Sequence, residues 1–226
     1  VFGFTQPGAL AMDPREAPVV AERGAIGYDV GARAGGPLLR DRLWYSAAVN
    51  PRVDQVDKEI AGHGFFDDRL TAQLFAGKLT WQAAPAVNVE FSVVGDPTVH
   101  EQVAQPLGYS QAAGAPDPFL VRRITGGHTA SVQVRATAGS GLLLEGSLAR
   151  SSFRDNSEPR TEVEDDEVFF GDNVTNTMWG APPFKESRHD MDRTAVSGRA
   201  TLVLDRHTLM AGAEYEDAAV YQRFTS

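Results

Sequence analysis

The stretch FAGKLTWQAAPAVNVEFSVVGDP, residues 75–97, decides how the chain is read. It forms two strands about a tight turn, because its apolar residues recur at every second position. One side carries Phe75, Gly77, Leu79, Trp81, Val87, Val89, Phe91 and Val93; the other carries Lys78, Thr80, Gln82, Asn88, Glu90 and Ser92. The open question is which solvent the apolar side meets.

The same period runs through the rest of the chain. The stretch RITGGHTASVQVRATAG, residues 123–139, sets Ala130, Val132, Val134 and Ala136 against Ser131, Gln133, Arg135 and Thr137. Leu142, Leu144 and Leu148 stand against Glu145, Ser147 and Ser151, and Val196, Ala200, Leu202 and Leu204 against Ser197, Arg199 and Thr201. Leu209, Ala211, Ala213 and Tyr215 stand against Thr208 and Glu214. A noisier pair places Ile26, Tyr28, Val30 and Ala32 with Leu43, Tyr45, Ala47 and Val49. The reading is all-β, with about eight strands of roughly 9–13 residues, near the length that crosses an outer membrane.

Turn parity constrains the registers, since a one-residue slip moves every side chain to the opposite face. Pairing Ala138 with Leu142 leaves a Gly139-Ser140-Gly141 loop and sets Arg135 opposite Glu145. Pairing Leu204 with His207 leaves a two-residue loop and sets Leu202 opposite Leu209. Around Pro85, matching Leu79 with Val89 brings Lys78 to Glu90. Short turns are expected near 37–42, 83–87, 139–141 and 205–206, and long polar loops near 55–70, 96–124 and 154–190. Short turns on one side and long loops on the other are the pattern of an antiparallel up-and-down transmembrane β-barrel. The apolar side is therefore expected to meet lipid. Its polar counterpart, with Lys78, Glu90, Gln133, Arg135, Glu145, Arg199 and Glu214, is expected to line the lumen. Both chain ends are expected on the long-loop side, the arrangement of an interior piece of a larger barrel.

Composition bounds the alternatives. In 226 residues the formal net charge is −9, which argues against a nucleic-acid partner. There is no cysteine, so disulfide and thiolate chemistry are excluded. No run approaches the ~18 apolar residues of a membrane-crossing helix, a criterion blind to barrels. VFGFTQPGAL lacks the layout of a secretion signal.

Chemical motifs are sparse. Glu162, Glu164, Asp165, Asp166, Glu167 and Asp172 form an acidic run that suits calcium or ligand in an outer loop, or simply a solvated surface. His63, His100, His128, His189 and His207 have no paired metal spacing; the loop histidines His63, His100 and His189 suit either contact with a ligand or plain solvent exposure, and solvent is the expectation. No nucleophile elbow, P-loop or zinc motif occurs, so neither catalysis nor a cofactor is expected. Trp44, Tyr45, Trp81, Phe153 and Tyr215 are candidates for an interfacial aromatic girdle.

YDVGARAGGPLLRDRLWYSAAVNP (28–51) and the 75–97 hairpin with its GKLTWQ strand and Gly-Asp-Pro ending resemble segments of TonB-dependent outer-membrane receptors, the Oar-like branch in particular. The two stretches cover about a fifth of the chain; the remainder agrees in rhythm. The resemblance implies residues 1–226 as part of a receptor barrel in a Gram-negative outer membrane. Its partners would be lipid, a plug domain, further barrel strands and the TonB complex, and its cargo a scarce metal chelate or oligosaccharide. Neither a plug nor a TonB box is visible, nor a last strand ending in an aromatic residue, so no coupling residue is carried over. The alternative is a soluble secreted β-sandwich or adhesin-like module that uses the acidic loop for calcium or carbohydrate.

Overall fold

In a computed structural model, the structure describes residues 2–6, 22–103, 111–161, 168–181 and 186–225. The main sheet contains β1 (Phe2–Gln6), β2 (Glu22–Leu39), β3 (Leu43–Ile60), β4 (Gly64–Ala84), β5 (Val87–Gly95), β6 (Thr98–Val103), β8 (Leu120–Ala138), β9 (Leu142–Pro159), β12 (Glu186–Leu204) and β13 (His207–Thr225). The strands follow one another up and down, all antiparallel, in the order β1-β2-β3-β4-β5-β8-β9-β12-β13. A second, three-stranded sheet joins β10 (Phe169–Asp172), β11 (Thr177–Gly180) and β7 (Gln111–Ala112).

β5 and β6 act as one long strand between β4 and β8, broken where Pro97 has no N–H to donate. The ladder keeps its register across the break, because the Pro97 carbonyl accepts from Gln73 N–H at 2.9 Å. Opposite, Asp96 N–H donates to the Gly127 carbonyl at 3.0 Å, and Gly127 N–H donates to Asp96 Oδ1 at 3.0 Å. The backbones approach so closely here that a Cβ on Gly127 would lie 1.9 Å from the Ser152 carbonyl oxygen. Gly126, at φ +86°, needs the freedom of glycine as well.

With β5 and β6 counted together, the sheet has the eight long strands expected, plus the short β1 that the sequence reading missed. β1 also corrects the expectation that both chain ends lie on the long-loop side, since β1 starts nearer the short-turn end. It runs antiparallel to the stretch 27–31 of β2, towards the opposite end of the sheet. The other seven uninterrupted long strands have 18 to 21 residues rather than 9–13. The expected loop over 55–70 is instead the continuation of β3 and β4, joined by a tight turn at residues 61–63. Polar residues fall on both faces there, Gln55, Asp57 and Glu59 on one and Lys58 and Asp68 on the other, which reads as loop in sequence. The ladder nevertheless continues, because cross-strand pairs such as Lys58 Nζ–Asp68 Oδ2 at 3.0 Å hold the polar side chains.

The Ala138–Leu142 and Leu204–His207 registers stand as expected. Around Pro85 the register is displaced by two residues: Trp81, not Leu79, faces Val89, and Lys78 faces Ser92. An irregularity between Gln82 and Ala84 absorbs one residue and lets Pro85-Ala86 close the turn. Gln82 Nε2 ties it off by donating to the Ala84 carbonyl at 2.7 Å.

A small core lies at the end of the sheet away from the short turns. Ile60, Phe119, Leu120 and Met178 are buried there, with Phe66, Val103 and Phe169 packed against them. The long sheet below it has almost no core.

Candidate functional site

The sheet presents two chemically distinct faces. On one, Trp81 and Val89 continue into Val134, Gly146, Gly198 and Ala213. The neighbouring row is Tyr45, Leu79, Phe91, Val132, Leu148, Val196 and Tyr215. Leu148 is 48% and Phe91 42% exposed although both lie on interior strands, so no layer of the described protein covers this face. Contiguous exposed apolar surface on this scale marks contact with membrane or with another protein.

The upper edge of this apolar belt is slanted relative to the strands. On β13, β12, β9 and β8, charged or strongly polar residues begin at Asp217, Asp192, Arg150 and His128; on β6, β4 and β3 they begin at Glu101, Gln73 and Gln55. The row through Asp217 passes through Thr194, Arg150, Ala130, Val93 and Gly77 to Ala47. Ala47 lies eight residues below Gln55 on β3, six strand steps from β13. That is ~26 Å along the strand against ~29 Å across the sheet. The strands are therefore inclined by roughly 40° from the perpendicular to this edge, a lean within the tilt range of outer-membrane barrels.

The other face is polar, and all seven residues expected on it share it. Lys78 Nζ lies 2.7 Å from Glu90 Oε2, diagonally rather than directly opposite. Arg135 Nε lies 3.2 Å and Arg199 Nη1 3.9 Å from the two oxygens of Glu145. Gln133, Arg135, Glu145, Arg199 and Glu214 converge on one groove of about 500 Å³ with Ser147 and Ser197, whose hydroxyls are 2.7 Å apart. Hydroxyl pairs Ser92–Ser131 at 2.7 Å and Thr129–Ser151 at 2.9 Å continue the pattern. Such a surface of alternating charges and hydroxyls offers hydrogen bonds and ion pairs to a polar partner.

Sequence reading missed an apolar hollow of about 530 Å³ on this same face, where Ala48, Leu74, Ala76, Val94 and Phe153 gather. The signal was visible as adjacent apolar pairs, Leu74-Phe75 and Val93-Val94, which break the alternation. Trp44 and Phe153 also lie on the polar face, leaving Tyr45, Trp81 and Tyr215 of the girdle candidates on the apolar one.

Above the belt, Asp68 is 5% exposed and joins three elements. It accepts from Val103 N–H at 2.9 Å, contacts His100 Nε2 at 2.8 Å, and pairs with Lys58 at 3.0 Å. Burial alone would raise its pKa, but the hydrogen bonds from His100, Val103 and Lys58 together hold it below the usual carboxylate value. His100 is thus a strand residue with a carboxylate partner, not the solvent-exposed loop residue expected. His189 likewise sits on β12, its Nδ1 3.3 Å from Gln222 Nε2. His63 lies in the turn between β3 and β4.

Of the acidic run, Glu162, Glu164, Asp165, Asp166 and Glu167 lie outside the described residues. Asp172 closes the β10–β11 turn, accepting from Thr175 Oγ1 and from Val174 N–H, both at 2.8 Å. These bonds, that from Thr175 first, lower its pKa. Among the described residues no group of three or more metal-ligating side chains is assembled, and no helix is long and apolar enough to cross a membrane. Comparison with protein-family models, curated proteins and solved structures finds no match to this chain.

Proposed function

We propose that the chain is part of an outer-membrane β-barrel receptor of the TonB-dependent kind, which binds a scarce ligand such as a metal chelate or oligosaccharide and imports it. The observation that carries this reading is the slanted belt. An apolar stripe perpendicular to the strands would suit any covering layer, whereas strands leaning roughly 40° from the perpendicular to the stripe match a flat bilayer met by tilted strands. The short turns at 40–42, 85–86, 139–141 and 205–206 share one end, taken as periplasmic, and the β7–β10–β11 sheet lies at the other, taken as extracellular.

On this reading the polar face lines the lumen, where its ion pairs and hydroxyls meet water and the plug supplied by the rest of the receptor. The apolar hollow around Leu74, Val94 and Phe153 gives that plug a place to seat. Further barrel strands would cover the free edge of β13, since an unpaired backbone edge in lipid costs several kcal/mol per group. No catalytic step is assigned to it.

The test is partitioning. The purified chain is expected to aggregate in plain buffer and to regain strand content, by far-ultraviolet circular dichroism, when moved into detergent micelles. A folded monomer in detergent-free buffer, measured by sedimentation, would overturn the assignment.

A further inference from the structure

The apolar face is not smooth. A hollow of about 590 Å³ opens in it, floored by Ala47, Gly77 and Ala130 and walled by Tyr45, Phe91 and Leu148. The one charged side chain projecting on this face at its rim is Arg150. Arg150 is exposed and makes no hydrogen bond or ion pair with any described residue, while Arg123 and Arg135 on the adjacent strand are both paired.

We infer that this hollow holds an acyl chain of an anionic, phosphate-bearing lipid whose headgroup is bound by Arg150. The inference rests on the membrane reading above and adds a specific lipid to it. Three observations carry it. First, Arg150 stands at the polar edge of the belt, at headgroup level, where a guanidinium can engage two phosphate oxygens at once. Second, the row from Arg150 through Ala130, Val93 and Gly77 to Ala47 descends from that edge into the belt. It spans four strand steps, roughly 19 Å, a path for a chain whose head stays at the arginine. Third, the charge pattern selects the side. Arg150 has Asp192 on its diagonal over β12, with Asp217 beyond it on β13, and both carboxylates repel phosphate there; over β8 its diagonal neighbour is His128, which carries no negative charge, so the headgroup is directed to the β8 side.

The experiment counts lipid retained by the purified chain in neutral maltoside micelles doped with phosphatidylglycerol or with phosphatidylcholine, read by native mass spectrometry. Phosphatidylglycerol is expected to be retained about fivefold better, the factor that one basic residue contributes near an anionic headgroup. Arg150→Gln should erase that preference and Arg150→Lys keep part of it. Gly77→Leu should lower retention of both lipids. Its added Cβ would lie 3.2 Å from Val93 Cγ1, so Ala130→Leu replaces it if that variant fails to fold. Unchanged preference in Arg150→Gln would overturn the inference, as would displacement of the lipid by inorganic phosphate alone. So would a change of oligomeric state, rather than lipid retention, in Gly77→Leu, since a second copy would then be the occupant. A chain that enters micelles but retains both lipids equally sinks the lipid site and leaves the membrane reading standing. A chain folded and monomeric in buffer sinks both.

Discussion

The lower part of the sheet and its upper end are built from the same long strands but solve the hydrophobic problem in opposite ways. Above the belt, Met178 is 0% and Phe119 2% exposed, buried by the chain's own small sheet and turns. Below, Leu148 and Phe91 remain nearly half exposed and nothing in the described chain covers them. The upper end makes its own core, as a part that meets water on our reading must. The belt is left open because, on our reading, its apolar solvent comes from outside. The contrast teaches that backbone pairing holds a strand in place in either region, while side-chain alternation reports only which solvent that strand meets.

The comparison breaks most sharply at Phe119. Phe119→Ala removes a ring from the small core and is expected to cost about 3–5 kcal/mol. Because the belt has no packing in common with that core, the loss should be local. Hydrogen exchange should rise across 117–121 and 168–181 while amides of 130–136 stay protected. Equal loss of protection in both regions would show that they form one cooperative unit.

Next comes a paired substitution on β8. Val132→Arg puts a charge in the belt and is expected to cost about 2–4 kcal/mol in micelles. Gln133→Arg, one residue along and on the polar face, should cost under about 1 kcal/mol. Urea unfolding followed by tryptophan fluorescence checks the difference. Equal costs would mean that the two faces meet the same solvent, and the belt reading would fail.

What the sequence made legible follows from the same division. The belt strands and two hairpin registers were readable, because alternation is strong where one face must be apolar. The strand extensions over 55–60 and 64–70 were not, because Asp54, Gln55, Asp57 and Lys58 put polar groups on both faces and erase the period. The register at Pro85 was misjudged by two residues. A shift of two leaves every side chain on its own face, so parity cannot detect it, and the irregularity after Gln82 has no mark in the sequence. The Asp68 site was illegible because it joins three strands, with partners on β3 and β6, and only the final register brings them together.

Asp68 supplies the third prediction, at the seam between the two regions. Asp68→Asn is expected to destabilise the upper end by about 2 kcal/mol, since it leaves Lys58 and His100 without their charged acceptor. The pH dependence has a definite sign. The folded pKa lies below the ordinary value of 3.8, so the stabilisation is complete above that value and is lost as pH falls through the folded pKa. Acid titration of the wild type, followed by exchange protection around 100–103, should therefore show loosening below about pH 4. The Asn variant should be already loosened and flat across that range.

The smallest effect tests the polar face and the corrected register together. Lys78 and Glu90 are 49% and 31% exposed at their side chains, and an ion pair in such a setting contributes at most about 1 kcal/mol, weakened by salt. Lys78 sits directly opposite Ser92 and reaches Glu90 on the diagonal. A double-mutant cycle of Lys78→Gln with Glu90→Gln should give a coupling of a few tenths of a kcal/mol that fades by 1 M salt, whereas Lys78→Gln with Ser92→Ala should give none. A coupling near 1 kcal/mol that persists at high salt would mean that the pair is shielded from water. The polar face would then be covered by protein as tightly as the upper core, and the contrast between the two regions would have to be redrawn around that cover.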